Sequence, residues 1–595
     1  MENNILDLAI ENFEQKNYDK ALELLILSYE KEDCKEWILE NIYNCYIAGN
    51  EEEFRNSFQK YTEKNSYKYA YEDCLIDFIP YREGEYFLFD KEKQNFNGKI
   101  SMSEFEDFDI QSLFGKNEFS DVLIKFDWDY RKIGVFLKVA ETGRKVYAIV
   151  NDVRRALSFW KIPEWESYRD NFKIFSCEEE FQQYFHRNTA EYLPRLVFTE
   201  RQEDTDLLGK IIETEHEYRL TPEGRNNSNV LLTIGIPTHN RGNLLLKRLE
   251  HLIKMPYDAE VEFVVSKNGS ELYQEEYKQA SKLPDSRLKY YGIDETIMPH
   301  LNWYKTIEKA HGKYVLLVSD EDDIEIGALE HYLKILSENK NLSQIRAKTF
   351  SQYFFIVDRE EGKKGLDAFE KTFLRQNYIS GLIIKREAFL SLNVLNYEKY
   401  QDNIFYRHYP HEWWCAGLSK MGNSLQEPVQ LIVEGKEALY KEIETYEKLG
   451  LAKRDDVFDK ESKVPSYASY ESRFQQFYGQ VEFLKIFFKN DLIGIGKGME
   501  IIIHKLSYLL DFVRERGYKK QEYLNVIDQF ASLTIEVVDQ FAFEDEQKLK
   551  LLNVIKHEEG ADKILDYYRA SKGAFLCIQK NKRILHYGYI IKQSL

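Results

Sequence analysis

The stretch KYVLLVSDEDDI, Lys313 to Ile324, decides how the chain is read. Tyr314 to Val318 form an apolar, β-prone run suited to a strand buried on both faces of a parallel sheet. The run breaks at once into Asp320, Glu321, Asp322 and Asp323, at the carboxyl end of a strand, where open α/β sheets keep their ligands. Carboxylates held this close need a counter-charge. A divalent ion with hard oxygen ligands, Mg²⁺ or Mn²⁺, is one solution and would recruit phosphate in turn. A solvated acidic turn, with one or two acids capping the next helix, is the other. These twelve residues alone leave both open.

The rest of the chain narrows the choice. At 595 residues it is too long for one core and implies several domains. A net charge of −19 argues against nucleic acid as a partner, since a phosphate-binding surface shows as a basic excess. The cysteines Cys34, Cys45, Cys74, Cys177, Cys415 and Cys577 have no paired spacing, so neither a disulfide framework nor a zinc site is expected. The opening MENNILDLAIENFEQKN has no basic region ahead of an apolar core, and no run of apolar residues is long enough to span a bilayer. The expectation is a cytoplasmic protein, with membrane contact at most peripheral, at the inner face.

Residues 1–72 carry helical spacing, and KNYDKALELL resembles the tetratricopeptide repeat, though the fuller signature is missing and a plain helical hairpin cap is the alternative. From 73 to 223 strands alternate with helices: DVLIKFD, KVYAIVND, NFKIFS and LPRLVFT read as strands, which implies an α/β accessory domain. Asp152 at one strand end reads as a helix cap. After the polar linker at 221–229 comes a β-α-β-α-β-α-β series. Its strands are VLLTIGIP, VEFVVS, RLKYY and the opening stretch, and polar residues follow each strand end.

The residues at these strand ends resemble glycosyltransferase family 2, whose catalytic domain has the GT-A fold. IGIPTHNR looks like that family's nucleotide-contacting turn, VVSKNGS like its second turn, and NWYKTIEKAHGKYVLLVSDEDDI like its run into the Asp-x-Asp metal motif. The resemblance implies donor contacts from Pro237, Thr238, His239, Asn240, Arg241, Lys267, Asn268, Asn302, Asp320 and Glu321, and metal ligands from Asp320, Asp322 and Asp323. The register of the motif stays ambiguous, with Asp320 and Asp322 as the central pair. Lys267 stands where the family usually places an Asp that reads the uracil ring, so either Asn268 supplies an acceptor or the base is read differently.

The family's general base lies downstream on a helix, after a strand that ISGLIIKREAF resembles. Glu412, beside Trp413 and Trp414, is the first candidate and Asp402 the second. Trp303, Trp413 and Trp414 are sugar platforms or core, and His408 and His411 read as ordinary histidines. Residues 436–595 carry helical spacing and imply a bundle.

The fold expected is therefore α/β: a GT-A domain with a Rossmann-like nucleotide-binding sheet at 224–435, an α/β accessory domain, and helical amino- and carboxyl-terminal regions. The activity implied is a metal-dependent, inverting glycosyltransferase of hexosyltransferase type, moving a sugar from a nucleotide-diphosphate donor, a UDP-sugar by resemblance, to a protein or surface-glycan hydroxyl. Nucleotidyl transfer and a catalytically weak scaffold remain the alternatives, and homo-oligomer formation stays open.

Overall fold

The computed structural model describes residues 5–31, 34–101, 120–141, 143–350, 358–375, 378–392, 400, 402–435, 470–489, 491, 493–499 and 501–502. The chain forms two compact units, residues 1–229 with 330–338, and residues 230–329 with 339–595.

In the first unit, helices α1 (Ile5–Glu14), α2 (Tyr18–Lys31), α3 (Lys35–Ile42) and α4 (Glu51–Asn65) open the chain. A three-stranded antiparallel meander follows, β1 (Ile76–Arg82), β2 (Glu85–Asp90) and β3 (Asn95–Ser101). Ala9, Leu22, Leu25, Tyr29, Ile38 and Ile42 of the helices share one core with Ile79 and Phe89 of the meander. The apolar face of these helices is therefore covered by a sheet, which the tetratricopeptide-like phrase does not foresee.

Four short strands then build a parallel sheet: β4 (Val122–Lys125), β5 (Val146–Ile149), β6 (Phe172–Phe175) and β7 (Leu196–Thr199), in the order β6-β5-β4-β7. All four were legible as apolar runs, and VYAI is buried at every position, as a central parallel strand requires. Helix α5 (Tyr130–Glu141) follows β4, and Asp152 caps the short helix Val153–Leu157 by accepting the Arg154 amide at 3.0 Å.

The second unit is organised by a nine-stranded mixed sheet. Its first half is β8 (Leu232–Thr238), α6 (Gly242–Leu252), β9 (Val261–Asn268), α7 (Gln274–Ala280), β10 (Leu288–Ile293), α8 (Pro299–Lys309) and β11 (Tyr314–Leu317). These strands are parallel in the order β10-β9-β8-β11. The order reverses between β8 and β11, and the crevice at such a reversal is where α/β sheets bind ligands. Gly235 in β8 lets α8 sit close, because a Cβ there would stand 2.8 Å from the Thr306 methyl.

The second half adds β12 (Asp323–Ile324), β13 (Leu342–Phe350), β14 (Glu360–Gly362), β15 (Leu382–Lys385) and β16 (Asn423–Val433). β15 runs antiparallel to β11, and β16 returns beside β13 to pair with β12. Helices α9 (Ile404–His408), α10 (Pro410–Ser419) and α11 (Tyr470–Phe488) complete this unit's core, where Phe405, Trp413, Trp414, Phe483 and Phe487 pack with Val315 and Leu317. Truncating one such aromatic to alanine costs roughly 3–5 kcal/mol. Of the helical bundle expected at 436–595, α11 is present, and residues 436–469 and 503–595 lie outside the described residues.

Candidate active site

The reversal point is closed by a hydrogen bond. Thr238, at the end of β8, donates its hydroxyl to Asp320, which follows β11, at 2.6 Å. The Tyr277 hydroxyl lies 2.9 Å from Thr238 and accepts the Arg241 amide at 2.9 Å, so a relay runs from Arg241 N–H through Tyr277 and Thr238 to Asp320. Asp320 is 2% exposed. The Arg241 guanidinium lies 3.2 Å from Asp320 and 3.0 Å from Glu321.

The PTHN turn is tied to the KNGS turn. Asn240 takes a left-handed conformation, φ +55°, which Asn tolerates better than most residues. Its side-chain oxygen accepts the amides of Glu271 and Leu272 at 2.9 and 3.1 Å. His239 donates from Nδ1 to the Asn268 carbonyl at 3.1 Å, which leaves Nε2 to accept from the Asn240 amide at 3.2 Å. Asn268 and Asn302, expected at the donor, are occupied in holding the frame. Asn268 makes a pair of bonds to the backbone of Ile297 at 2.7 and 2.8 Å, and Asn302 bonds the hydroxyl and carbonyl of Ser266 at 2.7 and 3.1 Å. Lys267 reaches Gln274 at 3.3 Å and lies over the Tyr277 ring. Pro237 is a partly exposed residue of β8, level with Ser266.

The acids after Asp320 face different partners. Asp322 is fully buried, and its carboxylate accepts from the Tyr378 hydroxyl at 2.7 and 2.8 Å, from the Ser380 hydroxyl at 2.5 Å, and from the Gly435 amide at 3.0 Å. Ser380 also accepts the Ser319 amide at 2.8 Å, so it clips the two ends of the acidic turn together. Burial pushes the Asp322 carboxyl up, against the pull of these donors. Burial and the Asp322 charge push the Tyr378 phenol far up, which keeps it a donor. Asp323 is half exposed and pairs with Arg248, with His251 3.7 Å away. The Arg248 guanidinium also donates to the Glu321 carbonyl at 3.0 Å. Among the described residues, no group of three or more His, Cys, Asp and Glu side chains converges on one point.

The base candidates differ sharply in setting. Glu412 lies in the first turn of α10 and is 1% exposed, whereas Asp402 is exposed just before α9. Trp413 and Trp414 are wholly buried in the core, and Trp303 packs against the same cluster. The two tryptophans of α10 are thus core residues rather than sugar platforms on a surface.

Sequence reasoning did not single out Tyr277, Arg248, Tyr378, Ser380 or Gly435. Arg248 had a signal, standing on the helix that follows PTHNR. Tyr378, Ser380 and Gly435 had none, since they come from 56 to 113 residues downstream of Asp322 and meet it where β15 pairs with β11 and β16 with β12.

No curated protein sequence matches the chain. Among solved structures, S. aureus TarS is similar at 13% identity over 57% of this chain and 53% of that one, TM-score 0.36. The chain thus spans about half the length of that relative. S. aureus TarS 1-349 in complex with UDP-GlcNAc is similar at 14% identity over 58% and 88%, TM-score 0.37. The mannosyltransferase PcManGT from Pyrobaculum calidifontis, in complex with GDP-Man and Mn2+, is similar at 12% over 57% and 86%, TM-score 0.27. Residues 233–392, from β8 through β15 and the short helix after it, match the model named Glycosyl transferase family 2.

Proposed function

We propose that the second unit transfers a sugar from a nucleotide-diphosphate donor, a UDP-sugar, to a hydroxyl of a protein or surface glycan, with inversion at the sugar carbon. The observation that carries this reading is the Thr238–Asp320 contact at the strand-order reversal, with Arg241 and the acidic turn beside it. Donor type and inversion rest on the resemblance of the PTHNR, KNGS and SDEDD turns to the family.

The donor set fits a hard divalent ion. Asp320 and Asp322 are buried carboxylates, each oriented by a hydroxyl, and oriented carboxylates are the usual support of a metal site. Mg²⁺ or Mn²⁺ needs only one or two protein carboxylates when phosphate oxygens and water complete its shell, so a cage of three is not required. Asp320 and Asp322 would hold the ion, and Asp323, engaged by Arg248, would hold the turn. When bound, the ion neutralises charge that grows on the departing diphosphate.

The chain's own groups do the rest. The PTHN and KNGS turns, pinned to each other through Asn240 and His239, orient the nucleotide. Arg241 spans Asp320 and Glu321, so its charge stands ready for phosphate oxygens. Glu412 is assigned as the base that takes the acceptor proton as its oxygen attacks, with Asp402 second. The test is calorimetric titration of UDP-sugars with Mn²⁺, followed by a nucleotide-sugar panel scored for hydrolysis without acceptor. Saturable binding of one nucleotide sugar is expected, and absence of binding by all of them overturns the reading.

Among the described residues no helix is long and apolar enough to cross a membrane. A cytoplasmic setting, peripheral membrane contact and self-association remain proposals.

A further inference from the structure

His300 is the second residue of α8, after Pro299, and is 2% exposed. Neither ring nitrogen has a hydrogen-bond partner among the described residues. A buried neutral imidazole carries one donor and one acceptor nitrogen, and leaving such groups unmet is unfavourable. Native proteins leave few of them, so each asks for a partner that the protein alone does not contain.

Three features around this ring share one sign. The amino-terminal end of α8, an 11-residue helix, carries the positive end of the helix dipole. From α9, the Tyr406 ring meets His300 edge-on at 5.5 Å. The neighbouring Arg407 and His408 stand close enough for their charges to add to burial in pushing His300 down to about 4. Arg407 is exposed and makes no side-chain hydrogen bond or ion pair among the described residues. This basic cluster sits in a chain of net charge −19, so it does not reflect bulk composition.

Its place in the fold names the ligand's role. Two residues further along α8, on the other side of the helix, Asn302 binds Ser266 in β9, and the loop before α8 is held by Asn268, so the first turn of α8 starts at the same carboxyl edge as the donor crevice. Arg407 precedes Glu412 by five residues, and Trp303 of α8 meets His411 at 6.1 Å, which binds α8 to the helix carrying the assigned base. The donor's diphosphate is provided for elsewhere, by Arg241 and the acidic turn.

We propose that His300, Arg407 and the first turn of α8 form a subsite for a phosphate ester carried by the acceptor. A helix amino terminus and a guanidinium fork both suit a tetrahedral oxyanion, and the buried imidazole N–H supplies a directional donor. Assignment to the acceptor rests on the glycosyltransferase reading. The anion site itself does not.

The test uses the full chain with ¹³C-labelled histidine, its His300 resonance identified by loss in His300→Gln. Glycerol 3-phosphate is the probe, glycerol the neutral control, and UDP the donor-side probe. Glycerol 3-phosphate is expected to shift the His300 resonance saturably, with or without saturating UDP, while glycerol does not. Arg407→Gln, a change at an exposed position, should weaken glycerol 3-phosphate about tenfold, as expected for loss of a charged hydrogen bond, and leave UDP affinity unchanged. No shift with glycerol 3-phosphate, or an Arg407→Gln protein that binds it normally, overturns the proposal. Displacement of glycerol 3-phosphate by UDP overturns its assignment to the acceptor and gives the subsite to the donor. Binding of glycerol 3-phosphate without any binding of UDP supports the anion site and overturns the glycosyltransferase reading instead.

Discussion

Thr238 donates its hydroxyl to Asp320 across the strand-order reversal at 2.6 Å, and Tyr277 stands behind Thr238 at 2.9 Å. The first acid of the turn is thereby fixed to the opposite strand end rather than left on a free loop. Preorganising such a group lowers the cost of ordering it when donor binds.

Removing that fixation should act on donor affinity before it acts on folding. Thr238→Val removes a hydrogen bond to a charged group, for which about 1.5–3 kcal/mol is typical, so donor affinity should fall roughly tenfold or more. Tyr277→Phe leaves the Thr238–Asp320 bond but deletes the relay behind it, so its loss should be smaller. Titration calorimetry with a nucleotide sugar and Mn²⁺ checks the order of the two effects. A Tyr277→Phe loss as large as that of Thr238→Val would show that the relay, and not the direct bond, positions Asp320.

The Ser380 clip makes a separate prediction. Ser380→Ala frees both Ser319 and Asp322 from their shared hydroxyl, and loss of a group that orients a ligating carboxylate typically costs about 10–100-fold in metal affinity or activity. The half-saturating Mn²⁺ concentration for donor hydrolysis should rise accordingly, and Ser380→Thr should restore part of it. Gly435→Ala should have a similar effect by a steric route, because a Cβ there would stand 2.2 Å from the Glu321 carbonyl oxygen and must displace the turn. An unchanged metal requirement in both variants would remove Asp322 from the metal site.

How much of this was legible without coordinates depended on sequence distance. The strands β8, β9, β10 and β11 announce themselves as apolar runs ending in PTHNR, KNGS and SDEDD, and a parallel series with that punctuation has few alternatives. The meander β1 to β3 was hidden because IDFIPYR and EYFLFD alternate only loosely and follow a long helical stretch. Asn268 and Asn302 were legible as polar residues at strand and helix ends. Nothing local showed that their amides are spent on Ile297 and Ser266. The surroundings of Asp322 were out of reach for the same reason, since Tyr378, Ser380 and Gly435 arrive from distant segments.

Asp121 gives the first unit a pH dependence. It accepts the Lys145 amide at 2.8 Å ahead of β4, and burial pushes its carboxyl from 3.8 up to about 7. Between those values the native state keeps a proton that the unfolded chain releases, so stability falls as pH rises across the window and levels off above about 7. Asp121→Asn keeps an oxygen for the Lys145 amide and removes the titration. At pH near 8 the variant's unfolding free energy should exceed the parent's by at least about 1 kcal/mol, with the difference fading towards pH 4. Parallel pH dependence in both proteins would show that Asp121 is not the group responsible.

The assignment of the base turns on Glu412 and Asp402, whose settings are opposite. Glu412 is closed into the first turn of α10 between core aromatics, and Asp402 stands exposed in the segment before α9. A base removed from bulk water keeps its proton transfer directed at the acceptor, whereas an exposed carboxylate exchanges with solvent. Glu412→Gln preserves shape and hydrogen-bonding capacity while removing the base, so transfer should fall by about 10²–10⁴-fold with nucleotide-sugar affinity unchanged. Asp402→Asn should leave transfer nearly intact. Because Glu412 is buried, its variant could lose rate through packing alone, and the pH profile separates the two causes. Loss of the base removes the acid limb of the parent's profile, while a packing defect scales the whole profile down without changing its shape. A full acid limb in Glu412→Gln, together with a rate collapse in Asp402→Asn, would transfer the role to Asp402.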